Sequence, residues 1–595
     1  MIVQTATGPQ EITIQTQPGP QINGFGRGRG IYMLATDEAD RVVPLPGTNH
    51  RRVYVSGNGL TEADIAVAEG VSVGTVTGAW LRDSHPEYGE SEALALHPSI
   101  GFALWDAIPK QNSSHWLLYE RGHTYTTSRG PGGDGESPLH PIFVGAWGEG
   151  AAPVLTSSMG LGDLSNVVVQ GLDFNGASPS GLNANNIILD NLSVSGAGLV
   201  LHTSGTTERM SGITIRNTSI VDAPENGIFN NDTDGLLLEG IFFDYNGWTG
   251  VLHDVYLWGT TLDVTARDII TMRAAGNGVM ARGGMFAENI VGMNSHWVTM
   301  AFGSDSFDLR DFANYSLGMD LVDTAALQWR GFTGAINTQV PLSSFVDALV
   351  VHAAQEGNPN HPSMGVNADF GGTGSTAVFW HNIIRWRWDP DRPLTAFEQA
   401  ALEGVNPVSA NATTIWDYAA TLPNGGVPSG PVGQFDPEIV ALAQYLRGIS
   451  DGTQIADEAT ALNNYFRAGF GLDLIRQRAD PTTLQFVPDF RGEGTRWDNR
   501  LNWRLPSGDR ADGMPIPGDT LNLRGCIVRT YQTWTGTVNL QGGTLIVSGG
   551  KIDGSVVGPG TVRLEKAGRL GATISGGATV DDQRAGLAAS VVEWT

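Results

Sequence analysis

Between residues 165 and 320 the chain repeats a short pattern, and that repeat limits its fold more than any single motif does. Seven segments align: VVVQGLDF, IILDNLSV, ITIRNTSI, LLLEGIFF, VTARDIIT, MFAENIVG and FDLRDFAN. Their fifth positions are Gly171, Asn191, Asn217, Gly240, Asp268, Asn289 and Asp311, at intervals of 20, 26, 23, 28, 21 and 22 residues. A period this short is one turn of a solenoid. The first column (Val167, Ile187, Ile213, Leu236, Val264, Met285, Phe307) and the third (Val169, Leu189, Ile215, Leu238, Ala266, Ala287, Leu309) are apolar, as a strand with one buried face requires. The fifth column holds only Gly, Asn or Asp, the residues that tolerate left-handed or turn geometry. Apolar character returns at the sixth, with Leu172, Leu192, Ile241, Ile269, Ile290 and Phe312, Thr218 being the exception. Strand, sharp bend and second strand make one corner of a coil.

A third apolar cluster closes most turns, at GLVL (198–201), GIFN (227–230), GVLH (250–253), GVMA (278–281) and GMDL (318–321). Three strands per turn, stacked about 4.8 Å apart, make a parallel β-helix. Helical repeats fit poorly, because the bends fall too often. Composition agrees: 79 of 595 residues are glycine and only 16% are charged, against usual shares of about 7% and about a quarter.

The segments HWLLYERGHTY (115–125) and PIFVGAWGEGAAPVL (141–155), followed by these turns, resemble right-handed parallel β-helix proteins of the pectate-lyase-like superfamily. There an opening helix precedes a strand ending in RG-x-TY, and His123 here stands where Asp is common. The helix is expected around Glu92–Ile108. The resemblance covers roughly residues 96–340 and implies the fold. It leaves the activity open, since the superfamily includes lyases, hydrolases, adhesins and phage tailspikes.

The expected architecture is therefore all-β, a right-handed parallel β-helix with appendages. Residues 1–95 read as an N-terminal arm and attachment unit, 96–390 as the coil, 391–490 as a helical insertion and 491–595 as a small C-terminal β unit. DPDRPLTAFEQAALEG (389–404) and DPEIVALAQYLRG (436–448) carry helix-start signatures, separated by PNGGVPSGPVG (423–433). WDNRLNW followed by PIPGDTLNL resembles a segment that opens β-solenoid sections in bacterial surface proteins.

Charge narrows the function. With 35 basic and 61 acidic residues the net charge is −26, which repels nucleic acid and anionic membranes. Cys526 is the only cysteine, so cysteine-rich metal sites are excluded. MIVQTATGPQ lacks the basic and apolar regions of a secretory signal, and no run reaches the roughly 18 apolar residues of a membrane-spanning helix. Lysine occurs only at 110, 551 and 566, so the repeated turns of the coil offer no lysine base. An arginine-based, calcium-assisted lyase through Arg273 or Arg282 stays open. No GxSxG, HExxH or P-loop sequence occurs.

Two constellations stand out. The fourth column reads Gln170, Asp190, Arg216, Glu239, Arg267, Glu288 and Arg310. Its alternating signs suit an outward salt-bridge ladder, each exposed pair worth under about 1 kcal/mol. The competing reading is a glycosidase pair, because Glu239 and Glu288, two turns apart, would be about 9.6 Å apart. An intervening Arg267 should keep both carboxylates ionised, which suits a base and not an acid. The second group is Trp248, His253, Asp254, Tyr256, Trp258, Asp263, Trp297, Asp305 and Asp308. Aromatic faces stack on sugar rings, while carboxylates and imidazole bind hydroxyls or move protons. The candidate catalytic residues are thus Glu239, Glu288, Asp305 and Asp308, and the candidate glycan contacts Trp248, His253, Tyr256, Trp258 and Trp297. No resident cofactor or metal is expected, although DSFDLRD (305–311) could attract calcium. HNIIRWRW (381–388) alternates aromatic and basic residues and reads as a glycan edge or domain contact.

The outward position between the two core columns is often apolar, at Val168, Ile188, Leu237 and Phe286. Such a row is expected to be covered, by another copy as in trimeric spikes or by a chain segment. These features lead to a spike or fibre protein of a phage or phage-like particle, such as a gene transfer agent. It would bind cell-surface polysaccharide, sit on the particle surface, form a homotrimer and attach to a particle protein through its N-terminal region. Depolymerase activity is left open. The alternatives are a free extracellular polysaccharide lyase or glycoside hydrolase, and a structural surface adhesin.

Overall fold

The computed structural model describes residues 2–5, 8–11, 34–302 apart from 38, 204–208, 249–251, 283–284, 294 and 296–297, short strands between 320 and 387, 437–488 apart from 471, 473 and 476–479, and most of 497–583. Its main body is a right-handed parallel β-helix with three faces. On the first, which we call sheet 1, one core column runs Val53, Leu117, Val144, Val169, Leu189, Ile215, Leu238, Ala266, Ala287 and Leu321, each paired in parallel with the next, and the backbone register continues to residues 345 and 380. Sheet 2 carries the column Leu155, Phe174, Val194, Ile220 and Phe243. Sheet 3 stacks short strands, among them Leu199–His202, Ile228–Asn230, Val255–Leu257 and Val279–Ala281. Inward side chains from all three faces form one core. Each fully buried Val, Leu, Ile or Phe there contributes roughly 1.5–3 kcal/mol.

The bends fall where Gly, Asn and Asp predict them. Gly171, Asn191, Asn217, Gly240, Asp268 and Asn289 have φ of +71°, +52°, +52°, +60°, +55° and +51°. A Cβ is strained in that region, and Asn and Asp tolerate it best after Gly. The column continues at Asp323 and Asp347, with φ of +51° and +54°.

Strand register changes some of the expected turns. The strand after Phe286–Met293 on sheet 1 is Asp320–Val322, with Ala287 paired to Leu321 and Glu288 to Val322. FDLRDFAN, with Phe307, Arg310 and Asp311, lies outside the described residues, and GMDL feeds sheet 1 instead of closing a turn on sheet 3. Likewise GVLH is not the sheet 3 strand of its turn. Tyr256 pairs with Phe229, so Val255–Leu257 takes that place. Both shifts have one cause: loops of unequal length let apolar residues near a bend imitate the next strand.

Helix α1 (Glu62–Glu69), α2 (Gly78–Ser84) and α3 (Pro98–Ala107) precede or flank the first turns. The α3 helix is the expected opening helix, and Trp116–Glu120, Thr124–Tyr125 and Ile142–Trp147 are the strands expected after it. Arg52–Leu60 pairs with Trp116–Glu120 and begins sheet 1. Helix α4 (Pro437–Arg447) forms within the expected 436–448, and α5 (Ile455–Phe470) follows. The expected helix at 389–404 lies outside the described residues.

Chain segments cover two faces. The apolar row of sheet 1 is buried at Val168, Ile188, Leu237 and Phe286, none more than 1% exposed. Val168 and Ile188 pack with Leu34, Val42 and Leu45. At Val168 and Ile188 the cover is thus a segment of the same chain. On sheet 2 the outward column Phe242, Ile270, Val291, Ala325 and Leu349 packs under Ala443, Leu446, Ile455, Ala459 and Phe466 of α4 and α5. At the corner between these sheets the Gly452 N–H donates to Asn191 Oδ1 at 2.9 Å. A Cβ at Gly452 would fall 1.7 Å from the Asn217 carbonyl oxygen, so only glycine allows this approach.

The C-terminal unit is a second, two-faced parallel solenoid. Thr520–Asn522, Trp534–Asn539 and Lys551–Val557 stack on one side, and Ile527–Thr530, Thr544–Val547, Gly560–Leu564 and Ala578–Asp582 on the other. Trp497 and Trp503 of WDNRLNW are fully buried in its core, their rings 5.6 Å apart.

Candidate functional site

Sheet 3 turns its inward residues into the core and leaves an aromatic face outside. Leu199, Leu201, Ile228, Val255, Leu257 and Val279 are buried, so period 2 places Val200, Phe229, Tyr256 and Met280 outward. Register stacks Phe229 beside Tyr256, and Tyr256 beside Met280, on successive turns. The Phe229 and Tyr256 rings lie 5.6 Å apart, close to the turn spacing. His202 flanks Phe229 at 6.1 Å, and Trp258, 39% exposed, flanks Tyr256 at 5.7 Å edge-on. The Arg282 guanidinium sits 5.1 Å from the Tyr256 ring centre and 5.4 Å from that of Trp258. Burial pushes the Tyr256 hydroxyl above its ordinary pKa, and Arg282 works against that shift.

His253 closes one end of this platform, 5.0 Å from Tyr256. Its backbone N–H donates to Asn226 Oδ1 at 2.8 Å, and its Nδ1 accepts the Asn277 N–H at 2.9 Å. A neutral ring accepting at Nδ1 carries its proton on Nε2. Burial, helped by Arg282, holds the His253 pKa down to about 3, so the ring is neutral across physiological pH. It can donate a hydrogen bond but cannot shuttle protons near neutrality. Asp254, next in sequence, points inward, where Asn246 Nδ2 donates to it at 2.8 Å and the Thr271 hydroxyl lies against it. Burial raises its carboxyl well above the usual range, so Asp254 belongs to the core and not to the outer face.

Of the expected glycan contacts, sheet 3 thus brings together His253, Tyr256 and Trp258. Trp248, 37% exposed, lies on the turn after Thr233–Asp244. Trp297, Asp305 and Asp308 lie outside the described residues, and so do the side chain of Asp263, on the strand Leu262–Met272, and the side chains of HNIIRWRW. His202, Phe229 and Arg282 were not in the expected group. Their signal was present in the outward positions of LVLH and GIFN and in the residue after GVMA.

The fourth column lies on the covered face of sheet 1. Register pairs Gln170, Asp190, Arg216, Glu239, Arg267 and Glu288 in that order. Glu239 accepts a hydrogen bond from Arg216 Nε at 3.1 Å on one oxygen, and its other oxygen is ion-paired with Arg267, whose Nε lies 2.8 Å away. Arg216 also meets Asp190 at 4.0 Å and the Asp40 carboxylate. The Val42 N–H donates to Asp190 at 2.8 Å, and Gln170 Nε2 donates to the Val42 carbonyl at 2.8 Å. Far from being exposed, Asp190, Arg216, Arg267 and Glu288 are buried. The expected solvent ladder is instead a largely buried ion-pair network, covered at Gln170, Asp190 and Arg216 by the chain's own segment around Asp40 and Val42. Arg273, the other candidate lyase arginine, is buried against Asp244 at 2.7 Å. Burial alone would raise the Asp244 carboxyl, but Arg273 and Arg447 hold it below the ordinary range.

No protein-family model matches the chain, and no curated protein matches it. Among solved structures it is similar to a GH136 lacto-N-biosidase from Eubacterium ramulus, at 10% identity and a TM-score of 0.26, over 51% of this chain and 59% of that one. It is similar also to the pectate lyase Pel9A (13% identity, TM-score 0.27, 59% and 82% of the chains) and to the PL6 alginate lyase AlyGC (10%, 0.22, 81% and 73%). The chain spans about three-fifths of the lacto-N-biosidase. Likeness at this level carries no argument about activity.

Proposed function

We propose that this chain is a spike or fibre protein of a phage or phage-like particle, gene transfer agents included, and that sheet 3 binds a cell-surface polysaccharide. The observation that carries the reading is the outward row of half-buried Phe229 and Tyr256 and exposed Trp258 beside Arg282. Rings at turn spacing offer flat apolar faces to successive sugars. The guanidinium and the His253 N–H supply donors for hydroxyl or carboxylate oxygens. Residues ahead of Leu34 would serve particle attachment, because those from Leu34 to Leu45 are committed to the coil. The spike reading implies a homotrimer on the particle surface.

The depolymerase reading rests on Glu239, Glu288, Asp305 and Asp308, and a free extracellular lyase or hydrolase would need it. The two arginine contacts on Glu239 weigh towards a register-fixing role for that residue. Calcium at Asp305 and Asp308 belongs to the same reading. Incubating the purified full chain with host capsular polysaccharide tests both at once. Binding that Tyr256→Ala or Trp258→Ala weakens at least tenfold, without new reducing or unsaturated ends, supports a binding spike. Cleavage moves the chain to the enzyme class. Absence of binding across a panel of capsules overturns the carbohydrate reading.

A further inference from the structure

Ahead of the coil a second cluster has the makings of a metal site. Among the described residues, Glu69, His85 and Glu87 bring three ligand atoms within 4.8 Å of one another. Local structure fixes each position. Glu69 is the last residue of α1, which Gly70 ends in the left-handed conformation at φ +67°. His85 caps the end of α2, and Glu87 follows two residues later. The His85 Nδ1 is hydrogen-bonded to a Glu87 oxygen at 3.2 Å and lies 3.6 Å from a Glu69 oxygen. Tetrahedral zinc, with nitrogen at about 2.0–2.1 Å and carboxylate oxygen at about 2.0–2.2 Å, sets its ligands about 3.4 Å apart. The two observed separations bracket that value.

The surroundings hold the ligands as a metal centre requires. The Tyr88 hydroxyl donates to Glu69 at 2.6 Å, and that bond pushes the Tyr88 pKa up to about 12. The Trp80 ring lies 4.0 Å from that of His85 at 33°, fixing the imidazole plane. Partners of this kind orient metal ligands and tune their affinity. The His85 side chain is 22% exposed, Glu69 28% and Glu87 53%, so an ion can reach the cluster from solvent. Two carboxylates and a neutral imidazole carry two negative charges, and the imidazole favours zinc over calcium or magnesium.

We propose that Glu69, His85 and Glu87 bind a zinc-class divalent cation that ties the end of α1 to the turn after α2. This is independent of the carbohydrate reading. The competing account is a protonated His85 bridging two carboxylates, with no ion. Calorimetric titration of the full chain with zinc chloride separates them, with cobalt(II) absorption reporting the coordination geometry. The proposal expects one zinc per chain, visible cobalt bands of a tetrahedral site, and loss of both in His85→Ala. Tyr88→Phe should weaken zinc roughly 10–100-fold, the usual cost of removing an outer partner. Should His85→Ala fail to fold, Glu87→Gln at an exposed position must lose the cobalt bands. Absent zinc uptake, equal affinity for calcium, or zinc binding unchanged in Glu87→Gln would each overturn it.

Discussion

Sheets 1 and 3 of the coil are built by the same alternation yet end in opposite states. The outer face of sheet 1 is charged and apolar, and residues 34–45 lie over part of it, bonding directly to Asp190, Gln170, Arg216 and Asn217. The outer face of sheet 3 is aromatic, and its Trp258 stays 39% exposed. Charge on the outside of a solenoid thus does not mark a ligand site here, because it is used to seat the chain's own cover. The aromatic rings of sheet 3, with a guanidinium among them, are the surface on which the proposed ligand would lie.

The largest effect should come from breaking the sealed side. Arg216→Ala leaves the buried Asp190 without its cation, while the partly buried Glu239 keeps Arg267, and unfolding free energy should fall by about 3 kcal/mol. A loss under 1 kcal/mol in urea titrations would mean that solvent reaches the network. Next comes acidity. His253 stays neutral when folded, down to about pH 3, but protonates near pH 6.5 when unfolded. The stability this gives is complete above pH 6.5 and is lost as pH falls towards 3. Relative to His253→Gln, the native chain should lose up to about 1.4 kcal/mol per pH unit, or about 2 kcal/mol between pH 6.5 and 5. Parallel stability curves for the two proteins would show a solvated imidazole.

On the open side, Tyr256→Ala should weaken polysaccharide binding tenfold or more, about 1.4 kcal/mol, with far-ultraviolet dichroism unchanged. Equal loss of binding and of folded content would turn the platform into a packing feature. The smallest change sharpens the contrast between a buried pair and an open one. Arg41 meets Asp451 at 2.6 Å, but the two side chains are 38% and 28% exposed. Arg41→Ala should therefore cost under about 1 kcal/mol.

Much of the coil was readable because its information is local. The columns from Val167 to Ala287 and the bends from Gly171 to Asn289 follow from side-chain period and left-handed tolerance alone, and the register confirms them. Local pattern failed where loops vary, as between Glu288 and its neighbour Val322. It failed also where contacts span the chain: Val42 to Asp190 crosses 148 residues and Gly452 to Asn191 crosses 261. Nothing in the fourth column distinguishes a solvated ladder from a sealed one until the segment above it is known. Half of the platform was visible in HDVYLW, whereas Phe229 and Arg282 join it only through register.

Hydrogen–deuterium exchange on the full chain, with and without bound capsular oligosaccharide, tests most directly that sheet 3 is the ligand face. Protection should rise at 228–230, 255–258 and 279–282 and stay unchanged at 187–190, 213–216 and 236–239. Protection gained along the sheet 1 strands, with sheet 3 unaffected, would contradict it.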